Sequence, residues 1–484
     1  MVILAGAVLG AIVMLGYSYV LTRQEMGFTR ILLAQGSVLQ YFVIFGTANA
    51  VLTYIPRFTS GDKQKLLLSY AAATPLIITS LLLIPYFLLK EQVISLYKPE
   101  DHEFIRGYFI WIPVLIILWS YLTQLEIYLS ALHKTAVSTF MREVVLKLLN
   151  IGLIALVWFK LISFHVFIMG TVLLYAIPTL ILLPIAMRTG IFGFSFKWNA
   201  FSKSEYKELI RFSWYHLLMG ISIIAMGQVD LFMLGVLSKN GLASLSAYTN
   251  AVFITSVMAA PYRAMTIAAY PSLNKAYSDR DMGLVRQLFN RSAINILIIS
   301  VIMGVIIGCN LPNAVAILPA GKGFEAITPL VLIMMVGRII DMGSGLNTEL
   351  INLSEYYRFN FAISLLLLVL LVAFNYLLIP RFDIYGAAWG GTFALILFNI
   401  AKIIFLWKKW KLQPFSRQSL LVLIAGGVAA FAGYIFPKLS NPIIDTFIRT
   451  GIIIVVYGGL MLWLKPSDDL RVYLQSIREK KRLF

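Results

Sequence analysis

The chain has 484 residues, 60% of them hydrophobic and 13% charged, with a formal net charge of +18. A soluble globular chain is roughly 45–50% apolar and about 25% charged, so a water-soluble fold is excluded and the bilayer must be the solvent. The basic residues sit in short segments between apolar runs, without any RNP-like, zinc-finger or basic-helix pattern, which excludes a nucleic-acid-binding protein.

The first apolar run starts at Met1 and lacks a basic leader or a small-x-small cleavage site, so it reads as a retained helix rather than a signal peptide. A spanning helix needs about 20 mostly apolar residues. In chain order such stretches fall near 2–21, 31–52, 67–89, 108–129, 144–160, 164–187, 212–237, 244–270, 288–309, 326–350, 360–379, 385–407, 419–436 and 447–464. The chain is therefore expected to be an all-α polytopic membrane protein of about fourteen transmembrane helices. Basic residues concentrate in alternate loops, among them Lys63 and Lys65, Lys134 and Arg142, Lys203 and Lys207, Lys275 and Arg280, and Lys408, Lys409 and Lys411. That bias places both termini in the cytoplasm.

No loop is long enough to hold a soluble catalytic domain. Residues 191–211 stand apart: Phe192, Phe194, Phe196, Trp198 and Phe201 interleave with Lys197, Lys203 and Lys207. The pattern predicts an interfacial linker on the anionic cytoplasmic leaflet. A weak repeat links the two halves, because Tyr54-Ile55-Pro56 before a basic loop resembles Tyr270-Pro271 before another. Two parallel six-helix bundles are a known transporter plan.

Several charges fall at membrane depth, where each costs at least about 2.5–3.5 kcal/mol and usually faces a bundle interior or wet cavity. Arg338 and Asp341 lie three apart on one helix face, followed by Asn347, Thr348 and Glu349. They read either as a cavity-facing anion-binding cation with a carboxylate able to take a proton, or as a mutually neutralised pair. Asp230 has no cation within a helical turn on its own segment and suits ion coupling. Arg263 and Lys402 lie near expected cytoplasmic helix ends and either line the cavity or snorkel to head groups. Arg57 follows Pro56 at an inner helix end and is placed to admit an anionic head group. Glu126 reads as a structural partner of Lys134 or His133.

Catalytic and cofactor signatures are lacking. The four histidines share no ligand spacing, Gly321-Lys322-Gly323 lacks the Ser or Thr of a phosphate loop, and no Gly-x-Ser-x-Gly occurs. The single cysteine, Cys309, sits in an apolar run and makes no internal disulfide. No enzyme, metal or cofactor is expected.

Asn375-Tyr-Leu-Leu-Ile-Pro380, followed by Tyr385-Gly-Ala-Ala-Trp-Gly-Gly391, resembles the hallmark of bacterial polysaccharide flippases, in which Asn-x-x-Leu-Ile-Pro leads into a Gly-Ala-Ala helix start. Pro380 is expected to stop one helix, and the small residues to let the next pack closely. Asp341-Met-Gly-Ser-Gly-Leu-Asn347 with Ser354 to Asn360, and Asp230 with Leu234-Gly235, are similar to further segments of that family, the oligosaccharide branch of the multidrug/oligosaccharidyl-lipid/polysaccharide exporter superfamily. The likeness spans essentially the whole chain. It departs at the start, where family members carry a short basic segment before the first helix.

The resemblance implies two six-helix lobes around a central cationic cavity plus two C-terminal helices. The corresponding divisions are 1–190, a linker at 191–211, 212–410, and 411–484 with a basic cytoplasmic tail. It implies alternating access that moves an undecaprenyl-diphosphate-linked oligosaccharide across the bacterial cytoplasmic membrane for surface polysaccharide or lipopolysaccharide synthesis. Polysaccharide polymerase and chain-length proteins are candidate partners. Arg338, Arg263, Lys402 and Arg57 would bind the anionic substrate; Asp341 and Asp230 would couple an ion, both falling at positions that match the family, whereas Arg338 rests on the physical argument. A peptidoglycan-precursor flippase and an ion-coupled multidrug exporter of the same superfamily stay open as alternatives.

Overall fold

The computed structural model describes residues 2–58, 61–195, 197–467 and 469, and every regular element among them is helical. Phe196 and the basic tail from Arg471 to Arg482 lie outside the described residues. Ten helical stretches are long and apolar enough to cross a membrane; the bent pair Arg23–Ile44 and Thr47–Tyr54 makes an eleventh if it is one span. The chain is a multi-pass membrane protein, with ten or eleven such stretches among the described residues where about fourteen were expected. The segment near 2–21 forms the helix Val2–Val20. That near 144–160 begins in a π turn at Met141–Val145, and that near 212–237 lies within the continuous helix Lys203–Leu237.

The chain divides into two compact units, Met1–Ser246 and Ala247–Phe484. The segment 191–211 lies inside the first unit. Lys203–Leu237 packs along Arg23–Ile44 within the first unit.

In that unit Thr22 starts Arg23–Ile44 through a reciprocal capping box with Glu25. The helix then breaks at Phe45 and Gly46, which have φ of 51° and 68°, and turns by 58° into Thr47–Tyr54. A side chain at Gly46 would collide with the Ser213 carbonyl, so the bend and the close approach of Lys203–Leu237 require the same glycine. The core gathers Ile55, Leu66, Leu67, Leu122, Tyr128 and Leu182.

The linker differs from expectation. Phe201 is buried in this core and Phe192 packs edge-on to Tyr128 at 5.3 Å, while Phe194 stays exposed. Part of its aromatic content thus closes the first unit rather than meeting lipid. Polar bonds fasten it as well: Lys63 pairs with Glu205 at 2.5 Å, Lys197 with Asp62 at 3.0 Å, and Tyr54 donates to Glu208 at 3.0 Å.

Glu205 also closes a capping box with Ser202. The hydrogen bond from Lys63, with a backbone bond from Ser202, holds its carboxyl down at about 2. A depressed carboxylate stabilises above its ordinary pKa of about 4.3, and that contribution is lost as pH falls through the depressed value. Amide exchange of residues 203–208, corrected for intrinsic rates, should therefore show equal protection at pH 7 and pH 5. Glu205→Ala should lower that protection by about 1 kcal/mol. Protection lost by pH 5 in the wild type would contradict this fastening.

In the second unit Met282–Ile317 is the long central helix, and Arg417–Ile435 and Pro442–Leu464 pack on it through Val301, Val422, Ala425, Ala429, Ile453 and Tyr457. Arg449 lies buried in Pro442–Leu464, paired with Asp445.

Proline fails as a helix stop here. Ala259–Ser278 runs through Pro271, so the Tyr-Pro signal shared with Tyr54–Pro56 does not mark a helix end in both halves. Tyr357–Phe382 runs through Pro380 and ends at Asp383, with φ of 54°. In an apolar setting neighbouring helices tolerate the missing N–H. The expected close packing after Pro380 does occur: a side chain at Gly386 would strike the Leu378 carbonyl, and one at Gly390 would lie 2.6 Å from Asn375 Oδ1.

Candidate functional site

The site is built within the second unit around an interruption. Phe324–Gly343 stops at Ser344, Gly345 adopts φ of 70°, and the chain resumes as Asn347–Leu353. The expected continuous helix over 326–350 is thus two pieces, divided where Gly343-Ser344-Gly345 offers a residue free to turn left-handed. A side chain on Gly345 would press on Ala293, so the turn also lets the break pack closely.

Ile384–Trp410 runs alongside and presents Asn399 and Lys402, three residues apart on one face. Asn399, fully buried, donates to Asp341 Oδ1 at 2.9 Å and accepts from Ser344 Oγ at 3.0 Å. Lys402 donates to Thr348 Oγ1 at 2.6 Å, and its ammonium stands 3.7 Å from the Phe398 ring centroid. It is 2% exposed, so it does not snorkel. Asp341 and Glu349 both lie within electrostatic reach of that ammonium, yet neither forms a direct ion pair with it among the described residues. Glu349 accepts a long hydrogen bond from Tyr262 at 3.4 Å. Its Oε2 and the nearby Asn347 Nδ2 are buried without partners.

One buried cation therefore lies within electrostatic reach of two carboxylates while bonded to a hydroxyl, at a helix break. Such groups are expensive in hydrocarbon and normally functional. The arrangement can store or release a proton or small cation by re-pairing Lys402 between Thr348 and either acid. Among the described residues no three His, Cys, Asp or Glu side chains converge as a metal site.

Of the six expected site residues, Asp341 and Lys402 are brought together by this network. Arg338 lies on the same helix, half-buried, and forms no ion pair with Asp341 among the described residues, so the reading as a neutralised pair does not hold. Arg263 is exposed on Ala259–Ser278; that helix extends to Ser278, so Arg263 sits about four turns from its end rather than two. Arg57 and Asp230 belong to the first unit: Arg57 is exposed with its guanidinium 6.0 Å from the Tyr54 ring, and Asp230 is half-buried in Lys203–Leu237. Glu126 pairs with Arg142 rather than with Lys134 or His133. Asn399 and Tyr262 escaped the sequence reading. The three-residue spacing from Asn399 to Lys402 was the available signal for the first; Tyr262 offered none.

Solved structures share this fold. The inward closed conformation of the lipid II flippase MurJ matches with a TM-score of 0.74 at 14% identity, covering 94% of this chain and 96% of that one. An inward-facing multidrug resistance MATE family transporter of the MOP superfamily gives 0.67 at 14% identity over 84% and 94% of the two chains. A MOP superfamily transporter from Pyrococcus furiosus, described by the reverse polarity of its binding pocket, gives 0.58 at 14% identity over 85% and 94%. No family model matches the sequence, and no curated protein is similar to it at a significant level.

Proposed function

We propose that the chain is a flippase that moves an undecaprenyl-diphosphate-linked oligosaccharide across the bacterial cytoplasmic membrane by alternating access, with both termini cytoplasmic. The observation that carries this reading is the buried Lys402 flanked by Asp341 and Glu349 in a fold shared with a lipid flippase. A diphosphate head group calls for cations on the protein. Arg338, Arg263 and Arg57 serve as head-group contacts. Asp341, with Lys402 as its counter-charge, couples transport to an ion, and Asp230 contributes from the first unit. The product would feed surface polysaccharide or lipopolysaccharide synthesis.

Two other readings fit the same fold: a peptidoglycan-precursor flippase, as MurJ is, and an ion-coupled multidrug exporter, as the MATE proteins are. Deleting the gene in its host and complementing with wild type, Arg338→Ala or Asp341→Ala separates them. The flippase reading expects surface polymer to vanish on deletion, its lipid-linked precursor to accumulate inside, and both variants to rescue poorly at normal membrane levels. Unchanged polymer with raised drug sensitivity selects the exporter, and lysis with accumulated lipid II selects the peptidoglycan reading.

A further inference from the structure

We propose that the first unit carries two oxyanion-binding stations, Arg142 and Arg30, occupied in turn by a diphosphate head group during transport. The proposal rests on the flippase reading and adds a path to it.

Arg142 sits in the π turn Met141–Val145, inside the helical stretch Thr135–Trp158. A π turn inserts an extra residue and re-aims the side chains around it, a device concentrated at functional positions. The guanidinium gives one edge to Glu126: Nε donates to Oε1 at 3.0 Å and Nη2 pairs with the other oxygen. Nη2 also reaches Thr123 Oγ1 at 3.3 Å. Nη1 engages no described residue. The Glu126 side chain is 11% exposed and that of Arg142 is 44% exposed. A buried carboxylate thus fixes the orientation of a cation whose far nitrogen stays open. A guanidinium so held is preorganised for an oxyanion, because its planar fork is already locked.

Arg30 was expected to precede its span. It is instead the eighth residue of Arg23–Ile44, two turns inside. Its Nη2 touches the Met14 sulfur, its guanidinium lies 5.0 Å from the Tyr17 ring centroid, and its Nε is buried without a partner. No carboxylate pairs with it among the described residues. A cation at membrane depth served only by a thioether and a ring lacks its anion.

The π turn that carries Arg142 and the helix that carries Arg30 both pack on Val2–Val20. Lys147, one turn beyond Arg142, donates to the Gly6 carbonyl at 2.9 Å, whereas Met14 and Tyr17 serve Arg30. From Gly6 to Met14 the helical rise is roughly 12 Å. Tyr175 lies within electrostatic reach of Tyr17, Arg142 and Glu126, and Tyr17 donates to Asn150 Oδ1 at 3.0 Å.

The test uses the full chain in lipid nanodiscs and measures binding of undecaprenyl diphosphate without sugar and of inorganic diphosphate, with undecaprenol as control. Arg142→Ala would leave Glu126 buried and unpaired, so the informative variant is Glu126→Gln with Arg142→Gln, which removes both charges. Arg30→Met is its counterpart. With one station lost the other still holds the head group, so each variant alone is expected to weaken undecaprenyl diphosphate binding only a few-fold and the two combined roughly ten- to a hundred-fold. Inorganic diphosphate that competes in the wild type identifies the head group alone as the ligand; failure to compete identifies the lipid-linked form. A combined variant that binds undecaprenyl diphosphate as tightly as wild type overturns the stations. A wild type that binds inorganic diphosphate through these residues but ignores the prenyl form keeps the stations and overturns the flippase reading, and one that binds neither overturns both.

Discussion

Asp445→Ala is expected to destabilise the protein by about 3–5 kcal/mol, the cost of leaving a buried charge without its partner. Asp445 is fully buried and accepts from Arg449 Nε and Nη2, both at 2.9 Å, from the Leu439 amide at 2.9 Å and from Asn313 at 2.5 Å. Arg449 spends its remaining donors on the Gly433 and Phe436 carbonyls. Removing the carboxylate strands the guanidinium, the amide and the asparagine donor together. Unfolding in detergent should register the loss, and amide exchange should localise it to 417–464. Asp445→Leu combined with Arg449→Met should recover part of the stability, because no charge is then stranded, while the Leu439 amide and Asn313 still lose their acceptor. A single variant costing under about 1 kcal/mol, the scale of an exposed pair, would refute the buried-network account.

Lys402→Met is expected to reduce transport roughly ten- to a hundred-fold while the protein still reaches the membrane. Methionine keeps the length of the side chain and removes the charge. Thr348 loses its donor, and Asp341 and Glu349 lose a cation within their reach. If conformational exchange works by re-pairing this lysine, losing a charged hydrogen bond worth about 1.5–3 kcal/mol shifts the balance between states by that factor. Combining Lys402→Met with Asp341→Asn should restore thermal stability without restoring transport, which separates charge balance from coupling. Full transport by Lys402→Met would remove the network from the mechanism.

Membrane class, apolar segmentation and the tight packing at Gly386 and Gly390 were all legible in the sequence, because they depend on composition and on contacts local in the chain. Helix ends were less so. Proline seemed the natural terminator at Pro271 and Pro380, yet the helices run past both, and the end near Pro380 is made by the left-handed Asp383. A residue type marks what the backbone can do; packing decides whether it does. The functional networks were the least legible. Lys402 meets Thr348 across 54 residues, and Arg142 owes its aim to a π turn that no residue pattern announces. Arg30 was assigned to a loop because a charge at membrane depth looks like a boundary.

The two buried charge sets also differ in what they ask of membrane insertion. Asp445 and Arg449 are four residues apart on one helix, so that segment can enter the bilayer already neutralised, with no help from elsewhere in the chain. Lys402 has no such companion on Ile384–Trp410; its hydroxyl and both its acids lie on segments made earlier in translation. Pro442–Leu464 can therefore integrate alone. The helix bearing Lys402 has to find Thr348 and Asp341 while it settles, which ties the assembly of the coupling network to the order of synthesis.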